Sequence, residues 1–228
     1  MNYNPVIVAL DVETAAEARA LVHRIGGRVD VYKVGLELYA AAGPEIVREL
    51  TGQGKQVFLD LKMYDIPETV KRAAAQVARL GARFLTVHAV GSVMRAAAEG
   101  RAASDLKLLA VTVLTSFGPE DMEEQGYRCE IADLVERRAR LALARGMDGV
   151  VASPLEAARL RGVLGPGPIV VTPGVRSAGA AHGDQKRVAT PAEALAGGAS
   201  YVVIGRQVTR AADPAAAIER LLEEIAVA

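Results

Sequence analysis

Short apolar runs alternate with longer Ala-, Leu-, Arg- and Glu-rich segments along the whole chain. The apolar runs are rich in β-branched residues and almost uninterrupted, which is typical of strands buried on both faces of a parallel sheet. The longer segments have helical patterns, and glycines follow several of them, as at helix C-termini. The predicted strands are residues 6–10, 31–34, 57–61, 84–88, 108–114, 149–152, 169–171 and 201–204. The predicted helices are residues 14–25, 45–51, 69–80, 93–101, 131–145, 154–164, 191–196 and 214–226.

This alternation of strands and helices predicts an α/β fold, a (β/α)8 TIM barrel that forms a single domain over residues 1–228. A doubly wound open sheet is the alternative, but similar units that follow one another without a long linker favour closure. The two longest connections, residues 116–130 and 176–190, both follow predicted strands. They are therefore expected at the carboxyl face of the barrel, where active sites of this fold are built.

The amino-acid composition limits the kinds of partner and compartment that are expected for this protein. The chain has 228 residues, 51% of them apolar, and its 27 basic and 27 acidic residues give no net charge. This balance argues against a general nucleic-acid or acidic-membrane partner and leaves room for a local anion site. The single cysteine, Cys129, excludes an internal disulfide and favours a reducing compartment. Since no signal-peptide pattern or membrane-spanning stretch is visible, we expect a cytoplasmic protein without nucleic-acid or membrane partners.

Residues 60–65 carry three charged side chains directly after the apolar run 57–59. Side chains alternate between the two faces of a strand, so Asp60 and Lys62 are predicted to point the same way. Asp65 falls where the strand has become a loop, before the helix that Pro67 announces. Three charges at one strand end indicate a reaction centre.

The two preceding strands add charges of alternating sign. Asp11 follows strand one, Lys33 belongs to strand two, and strand three supplies Asp60 and Lys62. Solvated ion pairs at the barrel rim are the alternative, but four such residues at three consecutive strand ends favour a site. Only six of the 27 basic residues are lysines, and two of them are in this group. Lysine can transfer a proton at ordinary pH and arginine cannot, which weakly favours proton transfer here.

Strands seven and eight lead into a second group of polar residues. Arg176 follows strand seven, Gly205 and Arg206 follow strand eight, and Gln185 lies in the long loop between them. Phosphate sites in barrels are commonly built from the loops after these two strands. An arginine-capped loop with turn glycines is the alternative. The position after strand eight favours binding of a phosphomonoester.

The pattern at residues 60–67 resembles the Asp-x-Lys-x-x-Asp signature of the orotidine 5'-phosphate decarboxylase family, in its bacterial form. The resemblance covers essentially the whole chain, and no motif residue of the family is missing. Its further matches are residues 9–11, 32–35, 114–116, 172–176 and 204–206, together with Gln185.

The resemblance implies the decarboxylation of orotidine 5'-phosphate to uridine 5'-phosphate, the last step of de novo pyrimidine biosynthesis, without a cofactor or a metal. It implies that Lys62 is the cation beside C6 of the pyrimidine and then the proton donor to that carbon. By the same resemblance, Asp60 lies near the substrate carboxylate, and Lys33 and Asp65 hold the charged network in register. Asp11 and Lys33 would also reach the ribose hydroxyls.

The remaining substrate contacts also follow from the resemblance. It implies that Arg176, Gln185, Gly205 and Arg206 bind the phosphate, with Gln185 on a loop that folds over the ligand. Thr115 would lie near the pyrimidine or its loop.

The resemblance further implies a homodimer. In this family, Asp65 and Thr69 reach into the pocket of the partner subunit, so both are expected at the interface.

Two other functions share parts of this pattern. The 3-keto-gulonate-6-phosphate decarboxylases and hexulose-phosphate synthases have the same barrel and strand-three signature, but an acidic residue that helps bind magnesium replaces Lys33. An ammonium there would repel the ion, by about 4 kcal/mol for two unit charges 4 Å apart at a surface-like dielectric. Lys33 therefore argues against the metal-dependent enzymes. The intact charge cluster argues against the third possibility, a phosphate-binding barrel without catalysis.

Overall fold

The computed structural model describes residues 4–177 and 189–227. Within these ranges, parallel strands form a closed barrel in the order of the chain, from β1 to β8. The last strand pairs with the first, with Val8 opposite Ile204. This pairing confirms the predicted (β/α)8 barrel, and the open-sheet alternative is wrong.

Each predicted strand is present, with shifts at some ends. The strands are β1 Val6–Ala9, β2 Val31–Gly35, β3 Gln56–Met63, β4 Phe84–His88, β5 Lys107–Val111, β6 Gly149–Val151, β7 Ile169–Thr172 and β8 Tyr201–Ile204. The prediction that strand five extends to residue 114 is wrong, because the chain turns there: the amide of Phe117 donates to the carbonyl of Leu114 at 3.0 Å.

The helices follow the predicted pattern, with additional short helices in the connections. They are α1 Ala15–Ile25, α2 Leu36–Ala42, α3 Glu45–Gly52, α4 Pro67–Arg79, α5 Gly91–Arg101, α6 Pro119–Glu124, α7 Ile131–Ala144, α8 Ala157–Leu164, α9 Pro191–Ala196, α10 Arg206–Thr209 and α11 Pro214–Val227. The predicted helix at 154–164 begins as a 3-10 turn, Pro154–Glu156, before α8. Of the helices within the described ranges, none has the length and apolar character needed to cross a membrane.

Strand side chains divide between two apolar layers. Phe58 points into the barrel interior, whereas the next residue, Leu59, packs in the layer between the strands and the helices. Phe58 and Phe84 meet edge to face in the interior, with ring centroids 5.9 Å apart. Because both faces of the strands are covered, their sequences are apolar almost throughout.

The interior layer explains where the charged residues lie. Ala9, Val31 and Phe58 are buried members of this layer. Two residues further along the chain, in the positions that share the same face, stand Asp11, Lys33 and Asp60. The apolar interior is therefore followed directly by charged groups at the carboxyl end of the barrel.

Candidate active site

Four predicted residues form one connected charge cluster, Asp11, Lys33, Asp60 and Lys62. The ammonium of Lys33 lies 2.7 Å from Oδ1 of Asp11 and 3.8 Å from Oδ2 of Asp60. The ammonium of Lys62 lies 2.8 Å from the same Oδ2 of Asp60. The signs alternate through the cluster, so each lysine has a carboxylate partner, and Asp60 has two cations.

Burial differs sharply across the charge cluster. The side chains of Lys33 and Asp60 are each 12% exposed, whereas those of Lys62 and Asp11 are 30% and 53% exposed. Burial by itself raises the pKa of Asp60, but Lys62, Lys33 and the hydrogen bonds it accepts outweigh burial and leave the pKa below its ordinary value. Asp60 therefore remains ionised at neutral pH and holds both ammonium groups in place.

Lys62 has an unusual backbone. Its φ of +47° lies in the left-handed region that residues other than glycine rarely adopt. The pairing of β3 with β4 shifts register between Leu59 and Met63, so Lys62 sits in an irregular stretch of strand. Asp60 and Lys62 were predicted to point the same way, and their side chains lie 2.8 Å apart, but simple alternation along the strand is not the local cause. Unusual backbone conformations of this kind cluster at functional sites.

Because Gly35 has no side chain, it leaves room for part of the charge cluster. A Cβ atom there would lie 3.0 Å from Nζ of Lys33 and 3.2 Å from Oδ1 of Asp11. Both distances are tighter than ordinary van der Waals contacts, so a side chain would press on that ion pair. The sequence analysis assigned no role to this glycine, because its two neighbours come together only in the fold.

One cavity of about 500 Å³ joins the charge cluster to the predicted phosphate residues. The charge cluster lines one part, and residues that follow β7 and β8 line another. Thr115, from the segment after β5, contributes to the wall, and apolar side chains such as Phe58 and Val111 contribute as well. The cavity has the size and the mixture of apolar and convergent polar groups expected of a small-molecule site.

Three of the residues predicted to bind phosphate, Arg176, Gly205 and Arg206, line the cavity, as does Gly174. Gly174 has a φ of +79°, which lets the chain turn sharply after β7. The amide of Arg176 donates to the carbonyl of Ala189 at 3.0 Å, which joins the two described ends of the long loop. Gln185, also predicted to bind phosphate, lies outside the described residues.

Two further charged residues line the same cavity and were missed by the sequence analysis. Arg210 stands four residues after Arg206, at the end of α10, and Glu37 lies in the first turn of α2. The helical spacing of the two arginines was the available signal, since residues four apart share one face. Arg210 therefore adds a cation to the cavity lining and Glu37 adds a carboxylate, neither of which the motifs indicated.

Asp65 and Thr69 do not join the other site residues within this chain. Asp65 lies in the exposed connection between β3 and α4, where its carboxylate accepts the amide of Ile66 at 2.6 Å. Thr69 is exposed on α4. Neither residue lines the cavity, and no ion pair among the described residues joins Asp65 to Lys33 or Lys62.

His88 ends β4 beside the charge cluster. Its ring packs against that of Tyr64, with centroids 5.6 Å apart. Burial, followed by the charges of Arg138 and Lys62, lowers the pKa of His88 below its ordinary value. His88 is therefore neutral at neutral pH and adds no further cation to the site.

Comparison with known sequences assigns this geometry to a family. The sequence model described as orotidine 5'-phosphate decarboxylase / HUMPS family matches residues 4–221. The chain belongs to this family. A relative from Rhodopseudomonas palustris (strain TIE-1), named orotidine 5'-phosphate decarboxylase, is 53% identical over 223 residues, which cover 98% of this chain and 94% of the relative. A relative of the same name from Nitrobacter winogradskyi is 53% identical over 221 residues, covering 97% and 92%.

Solved structures of similar proteins have the same fold as this chain. Orotidine 5'-phosphate decarboxylase from Lactobacillus acidophilus is 40% identical, with a TM-score of 0.86 and coverage of 97% of this chain and 98% of the other. An uncharacterized conserved protein from Geobacillus kaustophilus is 38% identical, with a TM-score of 0.84 and coverage of 97% and 100%. The predicted family and the predicted barrel are both confirmed.

Proposed function

We propose that this chain is a carboxy-lyase that converts orotidine 5'-phosphate to uridine 5'-phosphate and carbon dioxide, the last step of de novo pyrimidine biosynthesis. Relatives that carry this activity in their names are 53% identical over nearly the full chain. The observation that carries the proposal is one cavity that is lined both by the charge cluster and by Arg176 and Arg206, which follow β7 and β8. This lining supports binding of a substrate that has both a reacting anionic group and a phosphate.

The arrangement suggests one orientation of the substrate. The phosphate lies with Arg206, Arg176 and Gly205, and Gln185 is proposed to complete its contacts. Arginine forks are suited to phosphate, and Gly205 lets the backbone approach the ligand. The pyrimidine then lies towards the charge cluster, with Thr115 beside it.

The ribose bridges these two ends of the substrate. We place its hydroxyls with Asp11 and Lys33, because Asp11 is the most exposed residue of the charge cluster, at 53%, and Lys33 lies 2.7 Å from it. The bound nucleotide thus spans the cavity from the arginines to the buried carboxylate of Asp60.

The chemical step is assigned to Lys62. As the bond from C6 to the carboxylate carbon breaks, its electron pair stays on C6 and carbon dioxide leaves. The ammonium of Lys62 stabilises the developing negative charge and then transfers a proton from Nζ to form the C6–H bond. Asp60, 2.8 Å from Nζ, holds this ammonium in position, while Lys33 and a carboxylate from Asp65 keep the network in register. Solvent then returns a proton to Lys62.

We propose that the reaction uses no metal or cofactor. Lys33 already supplies a cation 2.7 Å from Asp11 and 3.8 Å from Asp60. A divalent ion between these carboxylates would have to displace or face that ammonium, which is unfavourable. The ammonium of Lys33 therefore separates the chain from the metal-dependent sugar-phosphate enzymes on charge alone.

We infer that the active protein is a homodimer in which Asp65 and Thr69 complete the pocket of the partner subunit. Both are exposed and stand apart from the cavity of their own chain. Their neighbours Tyr64 and Ile66 are 69% and 70% exposed, which leaves apolar surface available for an interface. A cytoplasmic location and the organisation of the whole chain as one domain stay predictions from the sequence.

Complementation tests the shared pocket. If Asp65 serves the partner subunit, Lys62→Ala and Asp65→Asn are each inactive alone, but mixed dimers contain one intact pocket and regain activity. If both residues serve their own chain, every pocket of a mixed dimer carries one substitution and no activity returns. A monomer by light scattering at assay concentration would also contradict the proposal.

The activity itself is tested by following the absorbance change as orotidine 5'-phosphate is consumed, with and without a chelator. Turnover that is insensitive to the chelator is expected. Chelator-sensitive turnover of a sugar phosphate would instead indicate the metal-dependent chemistry. Binding of the nucleotide without turnover would indicate a phosphate-binding barrel, and either result would overturn the proposal.

A further inference from the structure

Thr86 connects the two central residues of the charge cluster from a neighbouring strand. It lies on β4 and is completely buried. Its hydroxyl donates to Oδ1 of Asp60 at 2.9 Å and accepts the backbone amide of Lys62 at 2.8 Å. Through this one oxygen, the carboxylate of Asp60 is linked to the backbone that carries Lys62.

The first of these hydrogen bonds orients the carboxylate. Oδ2 of Asp60 faces both ammonium groups, whereas Oδ1 receives the hydroxyl of Thr86. The terminal torsion of an aspartate is broad, so a carboxylate held only from one side would rotate. Thr86 therefore keeps Oδ2 directed at Lys33 and Lys62.

The second hydrogen bond supports the unusual backbone of Lys62. In regular pairing the amide of Lys62 would face β2, as does that of Gln56, which donates to the carbonyl of Asp30 at 2.8 Å, but the register of β3 shifts between Leu59 and Met63. The amide bonds to the side chain of Thr86 instead. A φ of +47° persists at a lysine only where the surroundings constrain it, and this bond is one such constraint.

We propose that Thr86 is a positioning residue for the decarboxylation, which sets the orientation of Asp60 and the place of Lys62 relative to the bound substrate. The inference rests on the proposed function. Thr86 does not line the cavity, so it acts through the two residues that it bonds rather than by contact with the substrate.

Thr112 on the segment after β5 provides a matched control. It is also buried, 1% exposed, and its hydroxyl donates to a backbone carbonyl, that of Val151, at 2.9 Å. It has the same size, burial and hydrogen-bonding capacity as Thr86, but its hydroxyl bonds to no charged residue of the site among the described parts of the chain. Loss of a buried hydroxyl from the barrel is therefore separable from loss of the link between Asp60 and Lys62.

The test compares Thr86→Val, Thr86→Ser and Thr112→Val with the unaltered protein by steady-state kinetics. Because small misplacements of reacting groups cost about 10²-fold, kcat of Thr86→Val is expected to fall by about 10²-fold with a much smaller change in KM. Thr86→Ser retains the hydroxyl and should recover most of kcat. Thr112→Val should stay within about threefold of the unaltered protein, as expected for a residue away from the reacting groups.

A pH profile adds a readout that a structural role would not move. The hydrogen bond from Thr86 is one of the interactions that lower the pKa of Asp60. Its removal raises that pKa, so the acidic limb of kcat/KM should move to higher pH in Thr86→Val and stay in place in Thr86→Ser and Thr112→Val. If Thr86→Val fails to fold by circular dichroism, Thr86→Ala also removes the hydroxyl and takes its place.

Three results would overturn the inference. They are an unchanged kcat and acidic limb in Thr86→Val, an equal loss in Thr86→Ser, and an equal loss in Thr112→Val. Absence of turnover in the unaltered protein would overturn the proposed function instead, so the two failures are distinguishable.

Discussion

The two ends of the cavity come from different parts of the barrel. Lys33 and Asp60 belong to strands β2 and β3, with side chains only 12% exposed. Arg176 and Arg206 lie beyond the ends of β7 and β8, and Arg206 is exposed on the short helix α10. The first end holds charges at fixed positions inside a packed scaffold, whereas the second presents charges from connections. If the proposed function is correct, the strands control the chemical step and the connections control capture of the phosphate.

The largest expected effect comes from the strand end. Lys62→Ala removes the group proposed to be both the cation beside C6 and the proton donor, so kcat should fall by at least about 10⁴-fold. Binding of uridine 5'-phosphate, measured by calorimetry, should remain detectable because the arginine end is intact. Lys62→Arg is the control, since it keeps a charge but cannot release a proton. Retention of most activity in Lys62→Ala would contradict the assigned role.

At the other end, Arg206→Ala should act through binding. Loss of a charged hydrogen-bonding group is expected to lower kcat/KM for orotidine 5'-phosphate by about 10²-fold. Reaction of orotidine, which lacks the phosphate, should be unaffected by the substitution. Arg220→Ala is a matched control, because Arg220 is exposed on α11 and does not line the cavity. An equal loss with orotidine would show that Arg206 has a role beyond the phosphate.

The free energy of unfolding at low pH should distinguish the buried carboxylate of Asp60 from the exposed carboxylate of Asp11. The pKa of Asp60 lies below the ordinary 3.8, so its charge stabilises the fold above that pH, and this contribution disappears as the pH falls through the lowered pKa. Asp60→Asn should lower the free energy of unfolding near pH 7 by about 2 kcal/mol. This loss is smaller than for a fully buried ion pair, because the side chain of Lys62 is 30% exposed and solvent screens the interaction.

The loss in Asp60→Asn should shrink as the pH is lowered through 3.8 and below, as measured by urea denaturation. Asp11→Asn makes the same change in charge at a side chain that is 53% exposed, and a smaller effect is expected. Equal losses in the two variants would contradict the contrast in burial.

The smallest effect tests the space beside the charge cluster. Gly35→Ala places a methyl group 3.0 Å from Nζ of Lys33 and should lower kcat/KM by about 10-fold, since the ion pair with Asp11 must shift. Gly52→Ala is the matched control, because no atom lies within 4 Å of the added carbon. Similar kinetics for the two variants would show that the charge cluster tolerates displacement.

The barrel was predictable because its strands are covered on both faces and therefore read as continuous apolar runs. The convergence of Asp11, Lys33, Asp60 and Lys62 was predictable for a related reason, since the carboxyl ends of parallel strands meet at one face. Local chemistry at these positions, together with the family resemblance, was enough to identify the reaction.

Other features depend on contacts that no local pattern contains. The positive φ of Lys62 and the register shift beside it arise from the pairing of β3 with β4. The role of Thr86 depends on partners 24 and 26 residues away in the sequence. Strand five was predicted too long because the apolar run continues past Val111 although the chain already turns at Leu114.

The apolar layer beneath the charge cluster closes the inner end of the cavity. Ile7, Leu109 and Val171 are completely buried in the barrel interior, and Phe58 forms part of the cavity lining above them. Nucleotide, carbon dioxide and protons must therefore all enter and leave through the opening at the carboxyl face of the barrel. Uridine 5'-phosphate that remains there would occupy the path of the next substrate, so we expect the product to inhibit the reaction competitively.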